Sequence, residues 1–112
     1  MILEKIIETL ELQVDTTAVN LDNEVTGAYV SDLLSDVIAN AKQGNLWLTL
    51  QVHPNIIAVA TLKELAGIIL VNSRQPEEET LPKAEQEHIP IMTTKLPTFH
   101  LAGKLFRLIG EC

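Results

Sequence analysis

The sequence predicts a single α/β domain, with a mostly parallel sheet of about four to five strands and helices on both faces. Three observations lead to this prediction. From residue 24 onward, segments typical of strands alternate four times with segments typical of helices. Residues 67–71 form an uninterrupted apolar run, typical of a parallel strand covered on both faces. The length of 112 residues suits one domain, so residues 1–112 are assigned to one unit.

The chain before this alternation contributes a helix and a short strand. An apolar stripe at helical spacing predicts a helix over residues 2–10, and alternation favours a strand over residues 11–14. A polar loop follows. Residues 24–30 predict the next strand, in which Gly27 is expected to mark a bulge or a closely approaching backbone.

The next helix has clear start and stop signals. Ser31 is the expected N-cap, Asp32 lies in the first turn, and Gly44 suits the left-handed position after the helix end. One side of this helix is therefore expected to pack on the sheet. Its predicted apolar stripe consists of Leu33, Leu34, Val37, Ile38 and Ala41.

Residues 46–52 predict the central strand. Trp47 lies on its more polar face, where packing under a helix is favoured and stacking on a ligand is the alternative. Pro54 fits the first turn of a helix over residues 55–66, for which either His53 or Asn55 is the cap. This helix is apolar nearly all round, so the sheet and a neighbouring helix or another subunit must cover it.

Two further strand–helix pairs complete the chain. The strand over residues 67–71 leads to a helix that runs from Thr80, as its cap, to Glu87, with Pro82 in the first turn. Residues 91–93 form the last strand, and the final helix begins at Pro97 and ends at Gly110. The predicted apolar stripe of this final helix consists of Phe99, Ala102, Leu105, Phe106 and Ile109.

Composition and charge argue against several classes of partner. The chain has 8 basic and 15 acidic residues, a formal net charge of −7, which argues against nucleic acid or an anionic membrane. No apolar run reaches the ~20 residues that span a bilayer, and the first residues lack a signal-peptide pattern. With Cys112 as the single cysteine, no internal disulfide can form, and a cytoplasmic location is expected.

Polar side chains follow the strands at the edge where a parallel sheet binds ligands. Helix N-termini at this edge offer free N–H groups to an anion. Ordinary capping and turn roles are the competing interpretation, favoured for Ser31 and Asp32 and left open for His53, Asn55 and Arg74. The candidate ligand-binding residues are Ser31, Asp32, Thr49, His53, Asn55, Asn72, Ser73, Arg74, Thr93 and Thr94.

The sequence contains no recognisable catalytic or metal-binding pattern. His53 can exchange a proton near neutral pH, but no serine lies in a nucleophile elbow. His53, His88 and His100 lack metal-ligand spacing, and there is neither a Gly-rich phosphate loop nor a dinucleotide fingerprint. We therefore expect no cofactor, no metal and no enzymatic activity. A small enzyme that uses His53 is the weakest alternative.

Several stretches resemble the stand-alone DRTGG-domain proteins. The most specific are Ser-Asp-Leu-Leu-Ser-Asp-Val at residues 31–37 and His-Pro-Asn-Ile-Ile-Ala-Val-Ala at residues 53–60. Residues 66–70, 76–84 and 89–94 extend the resemblance to nearly the whole chain. It implies a domain similar to the N-terminal domain of HPr kinase/phosphorylase and to a regulatory region of some phosphotransacetylases, without the catalytic half of the kinase.

The motif that names this family is replaced in the chain. Residues 53–55 read His-Pro-Asn where Asp-Arg is expected, and residues 72–73 read Asn-Ser where Thr-Gly-Gly is expected. The resemblance therefore implies the fold and a regulatory character, and no ligand role for the motif. It further implies a kinase or hydrogenase-associated protein as a partner.

Together these observations predict a non-catalytic regulatory or ligand-sensing domain that binds a nucleotide or another small anion at the carboxyl edge of the sheet. The alternative is an oligomerisation or protein-interaction module without a ligand, because residues 56–62 are almost entirely apolar. A homo-oligomer is expected in either case, most simply a two-fold dimer. Nucleic acid and membranes are not expected partners.

Overall fold

This computed structural model describes residues 1–110 of the chain, which contain five strands and five helices. The strands are Gln13–Val14 (β1), Gly27–Val30 (β2), Asn45–Thr49 (β3), Gly67–Leu70 (β4) and Ile91–Thr93 (β5). The helices are Leu3–Leu10 (α1), Leu34–Asn40 (α2), Asn55–Lys63 (α3), Thr80–Glu87 (α4) and Thr98–Ile109 (α5).

The strands form one sheet in the order β1-β5-β4-β3-β2. Strands β2 to β5 are parallel to their neighbours, whereas β1 pairs with β5 in the antiparallel direction, with Gln13 opposite Thr93. The four strand–helix units that follow β1 place their helices on both faces of the sheet. The predicted fold class is therefore confirmed.

The alternation of side chains in β3 divides the core into two layers. Trp47 points into the layer covered by α2, α3 and α4, whereas Leu46 and Leu48 point into the layer covered by α1 and α5. All three side chains are fully buried. The indole N–H of Trp47 donates to the backbone oxygen of Ser31 (2.8 Å), so Trp47 is a core residue and cannot stack on a ligand.

Helix α3 is covered mainly by its own chain. Ile56, Ile57 and Val59 are buried between the sheet and the neighbouring helices α2 and α4. Leu62 remains 65% exposed. The apolar character of residues 56–62 is therefore explained largely without a second subunit.

Several predicted element boundaries are wrong by a few residues. Helix α2 has Leu33 at its N-cap, two positions after Ser31, which was the expected cap. Helix α4 begins at Thr80 rather than after it, and the hydroxyl of Thr80 donates to the backbone oxygen of Val52 (2.7 Å). The side chain of Thr80 thus connects α4 to the segment after β3, whereas that of Ser31 forms a local hydrogen bond with Leu33.

The central strand and the helix after it are shorter than predicted. β3 ends at Thr49 instead of residue 52, and α3 ends at Lys63 instead of residue 66. The predicted bulge at Gly27 is also wrong, because Gly27 is the first residue of β2 and pairs in register with Asn45.

The predicted apolar stripes of α2 and α5 are correct only in part. In α5, Leu101 and Leu105 are buried, whereas Phe99 is 85% exposed and Phe106 is 57% exposed. Leu33 beside α2 is likewise exposed. Because α5 carries apolar residues on more than one side, periodicity alone does not choose the side that faces the sheet.

The loop that follows β1 is held to α4 by one carboxylate. Glu85 accepts hydrogen bonds from the backbone N–H groups of Thr17 (2.6 Å) and Ala18 (2.8 Å). These hydrogen bonds lower the pKa of Glu85 below its usual value because they favour the charged form, and the bond from Ala18 has the larger effect. The N-terminal part of the chain is thereby attached to the parallel units.

None of the helices described in residues 1–110 is long and apolar enough to cross a membrane. Cys112 lies outside the described residues.

Candidate functional site

The carboxyl ends of β2 to β5 lie along one edge of the sheet, where ligands of parallel sheets bind. The candidate residues from the sequence lie along this edge in three separate groups. One group follows β2 and β3, one lies at the start of α3, and one follows β4 and β5. Each group has its own hydrogen bonds, which decide which polar atoms remain for a ligand.

The side chains of the group beside β2 and β3 form hydrogen bonds with each other and with the backbone at the ends of these strands. Oδ1 of Asp32 accepts the hydroxyl hydrogen of Thr49 (2.8 Å) and the backbone N–H of Leu50 (2.7 Å). The hydroxyl oxygen of Ser31 accepts the backbone N–H of Leu33 (3.1 Å). Ser31 and Asp32 thus form hydrogen bonds within the turn after β2 and to the end of β3, although neither side chain caps α2.

A second carboxylate, missed by the sequence analysis, completes this group. Both oxygens of Asp36 accept the phenol hydrogen of Tyr29 at 2.9 Å, and Oδ1 also accepts from the amide of Asn40 (2.9 Å). Hydrogen bonds from Ser31, Tyr29 and Asn40, in this order, lower the pKa of Asp36. The pKa of Tyr29 is raised because its phenol proton is held by this carboxylate.

His53 and Asn55 form the second group, at the start of α3. Nδ1 of His53 accepts the backbone N–H of Asn55 (3.0 Å), so the imidazole satisfies one of the free N–H groups of the helix. The structure places Pro54 at the N-cap, so neither of the two expected residues occupies that position. Both side chains are exposed, and no other hydrogen bond to the imidazole of His53 is found within residues 1–110.

The turn after β4 begins the third group. Asn72 and Ser73 both have left-handed φ angles, +58° and +60°. Their backbone N–H groups donate to the oxygens of Leu96 (2.8 Å) and Thr94 (2.9 Å), which joins this turn to the loop after β5. These two N–H groups are therefore not available to an anion, but the side chain of Ser73 is.

A groove of about 460 Å³, here called the edge groove, opens where β5 ends and α1 comes close. It brings together side chains from the two adjacent strand ends of the third group. The hydroxyl of Thr93 donates a hydrogen bond to Oδ1 of Asp15 (3.3 Å), so its hydrogen is not available to a ligand. Six of its polar side chains are those of Glu11, Ser73, Thr93, Thr94, Lys95 and Lys104.

Three of the ten predicted site residues, Ser73, Thr93 and Thr94, thus line one groove. His53, Asn55 and Arg74 line neither this groove nor the two grooves beside α5 described below. Lys95 and Lys104 also line the groove but were not among the candidates from the sequence. The spacing of His100, Lys104 and Arg107 on one helix face was the signal that could have identified Lys104.

No group of three or more His, Cys, Asp or Glu side chains within residues 1–110 is arranged to hold a metal ion. The edge groove offers hydroxyls and ammonium groups instead. Such groups donate hydrogen bonds to an anion, whereas Lys cannot accept one.

Neither the scan of family models nor the search of curated proteins finds a match for this chain. Among solved structures, the chain is similar to the crystal structure of the CBS and DRTGG domains of the regulatory region of Clostridium perfringens pyrophosphatase, complexed with its activator diadenosine tetraphosphate. The TM-score is 0.66 at 16% identity, over 92% of this chain and 44% of that one. The chain thus spans less than half of that structure, with which it shares a fold.

Proposed function

We propose that this domain is a regulatory module that binds a nucleotide or another small anion in the edge groove. The observation that carries the proposal is the convergence of Ser73, Thr93 and Thr94 with Lys95 and Lys104 in one groove. The hydroxyls of Ser73 and Thr94 and the two ammonium groups are suitable donors to phosphate oxygens. The volume of about 460 Å³ lies within the range of about 300–1,000 Å³ that is usual for small-molecule sites.

The structural neighbour supports the regulatory part of this proposal. The similar fold belongs to a regulatory region that is complexed with a nucleotide activator. Because that region contains CBS domains as well, the neighbour does not indicate which domain binds the activator. The proposal of a ligand for this chain therefore depends on the groove itself. The kinase or hydrogenase-associated partner that the family resemblance implies stays a prediction.

The proposal is tested by thermal unfolding in the presence of ATP, diadenosine tetraphosphate and inorganic triphosphate. We expect at least one of them to raise Tm, because a ligand that binds only the folded state stabilises it. Lys95→Ala is expected to weaken binding about tenfold or more, since a charged hydrogen bond contributes about 1.5–3 kcal/mol.

Lys83→Ala is the matched control, because Lys83 is an exposed lysine of α4 outside the edge groove. The proposal is wrong if none of the three anions raises Tm at millimolar concentration. It is equally wrong if Lys83→Ala weakens binding as much as Lys95→Ala does.

A second candidate function, self-association, is favoured by the surface where β2 meets α5. β2 is the last strand of the sheet and has no neighbour on its outer side. Val30 and Phe106 are exposed beside a largely apolar groove of about 380 Å³, which Ala28 and Ile109 also line. An open strand next to exposed apolar side chains suits two-fold pairing with a second copy, which would extend the sheet.

Light scattering tests this self-association at micromolar concentration. We expect a dimer that Phe106→Glu converts to a monomer, because the new carboxylate would be buried without a partner. Leu62→Glu, on the outer side of α3, is expected to leave the dimer intact. A monomeric parent chain, or a dimer that only Leu62→Glu dissociates, contradicts this assignment.

A further inference from the structure

The outer side of α5 carries a second groove that continues from the edge groove. This α5 groove has a volume of about 590 Å³ and lies between α1 and α5. Leu10 and Lys104 line both grooves, so the two share a boundary. Any anion bound in the edge groove therefore lies next to the α5 groove.

The α5 groove is unusually basic for this protein. His100, Lys104 and Arg107 follow one another at helical spacing on one side of α5, where the like charges of Lys104 and Arg107 repel each other. The one ion pair found within residues 1–110 joins the amino group of Met1 to Glu24, so none of these three side chains is neutralised by a carboxylate there. Positive charge without an internal partner favours an anion.

The charge balance of the two grooves supports the same conclusion. Lys95, Lys104 and Arg107 line them, against Glu11 as their one acidic side chain, which gives a formal charge of three minus one, or +2. The whole chain has a net charge of −7. The grooves are therefore a local positive region on an acidic protein, where an anion is attracted selectively.

Phe99 adds an aromatic surface to this positive region. Its side chain lines the α5 groove and is 85% exposed. The ring of His100 stands edge-to-face against it, with centroids 5.9 Å apart and an interplanar angle of 89°. An exposed ring beside cationic groups is the combination that binds a nucleobase together with its phosphates.

We infer that the ligand spans both grooves and is a nucleoside polyphosphate, whose base stacks on Phe99 and whose phosphates extend past Lys104 into the edge groove. This inference rests on the proposed function and adds the ligand class. Lys104 lies at the junction and binds the phosphate nearest the nucleoside, while Lys95 binds those farther along. Arg107 supplies positive charge around the nucleoside end.

Calorimetric titration with ATP and with inorganic triphosphate separates the two parts of the ligand. Phe99→Ala is expected to weaken ATP binding about 5- to 100-fold, the contribution of one stacked base, and to leave triphosphate binding unchanged. Phe99→Tyr is expected to restore ATP binding because it keeps the ring. Since Phe99 is mostly exposed, unchanged thermal unfolding of both variants verifies that they fold.

Two results would overturn the inference in different ways. If ATP and triphosphate bind equally well and Phe99→Ala changes neither affinity, the edge groove binds phosphate and no base is recognised, so the proposed function survives alone. If neither compound binds, both the inference and the proposed function fail.

Discussion

Trp47→Ala is expected to lower the free energy of unfolding by about 3–5 kcal/mol, the usual effect of truncating a large buried aromatic side chain. Trp47 is fully buried in the layer beneath α2, α3 and α4, where it packs with residues such as Ile57 and Ile68. Removing the indole leaves a cavity that the surrounding helices can fill only in part. For a domain whose total stability is about 5–15 kcal/mol, this is a large fraction.

Trp47→Phe separates the loss of the hydrogen bond from the loss of volume. Phenylalanine keeps most of the apolar contact but leaves the backbone oxygen of Ser31 without the indole N–H. We expect this variant to lose about 1–3 kcal/mol, less than Trp47→Ala. Urea unfolding followed by circular dichroism is the suitable measurement, because Trp47 is the one tryptophan and fluorescence would be lost. Equal losses in both variants would contradict the packing argument.

Gly44→Ala is the second substitution with a large expected effect. Gly44 has a φ of +83°, which a residue with a Cβ rarely adopts. An added Cβ would lie 2.7 Å from Cγ2 and 2.9 Å from Oγ1 of Thr26. Thr26 cannot easily move, because its hydroxyl donates to the oxygen of Gln43 (2.8 Å) and accepts from the amide of Asn45 (3.1 Å).

We therefore expect Gly44→Ala to lower the free energy of unfolding by about 2–4 kcal/mol, through backbone strain and overpacking together. The same substitution at Gly103 is the control. Gly103 lies within α5, and an added Cβ meets nothing within 4 Å there. Gly103→Ala is expected to stabilise the domain by about 0.5–1 kcal/mol through helix propensity. Changes of the same sign at both positions would refute the structural distinction between them.

The sequence predicts the fold well where a segment is bounded by residues that break regular structure. The bounds of β5 are predicted correctly and those of α4 to within one residue, and each of these elements lies close to a proline. The start of α2 is predicted wrongly because the preference of Ser31 for an N-cap is a local property. In the folded chain the nearby Asp32 instead holds the N–H of Leu50, a contact between adjacent strand ends.

The candidate site is predicted only in part for a related reason. The sequence indicates which residues follow each strand but not which strands are neighbours. Ser73 and Thr93 share a groove because β4 and β5 are adjacent. Lys104 comes from a helix whose rotation the apolar pattern did not determine, so its place in the groove required the structure.

The pairing of β1 with β5 has a consequence for the order of folding. Asp15 and Thr93, which hydrogen-bond at this junction, are 78 residues apart in sequence. Strands β2 to β5 pair in sequence order as the chain lengthens, whereas β1 has no strand partner until β5 is made. Strand β1 therefore precedes the other strands in sequence but is the last to join the sheet, and its loop closure is entropically the most demanding.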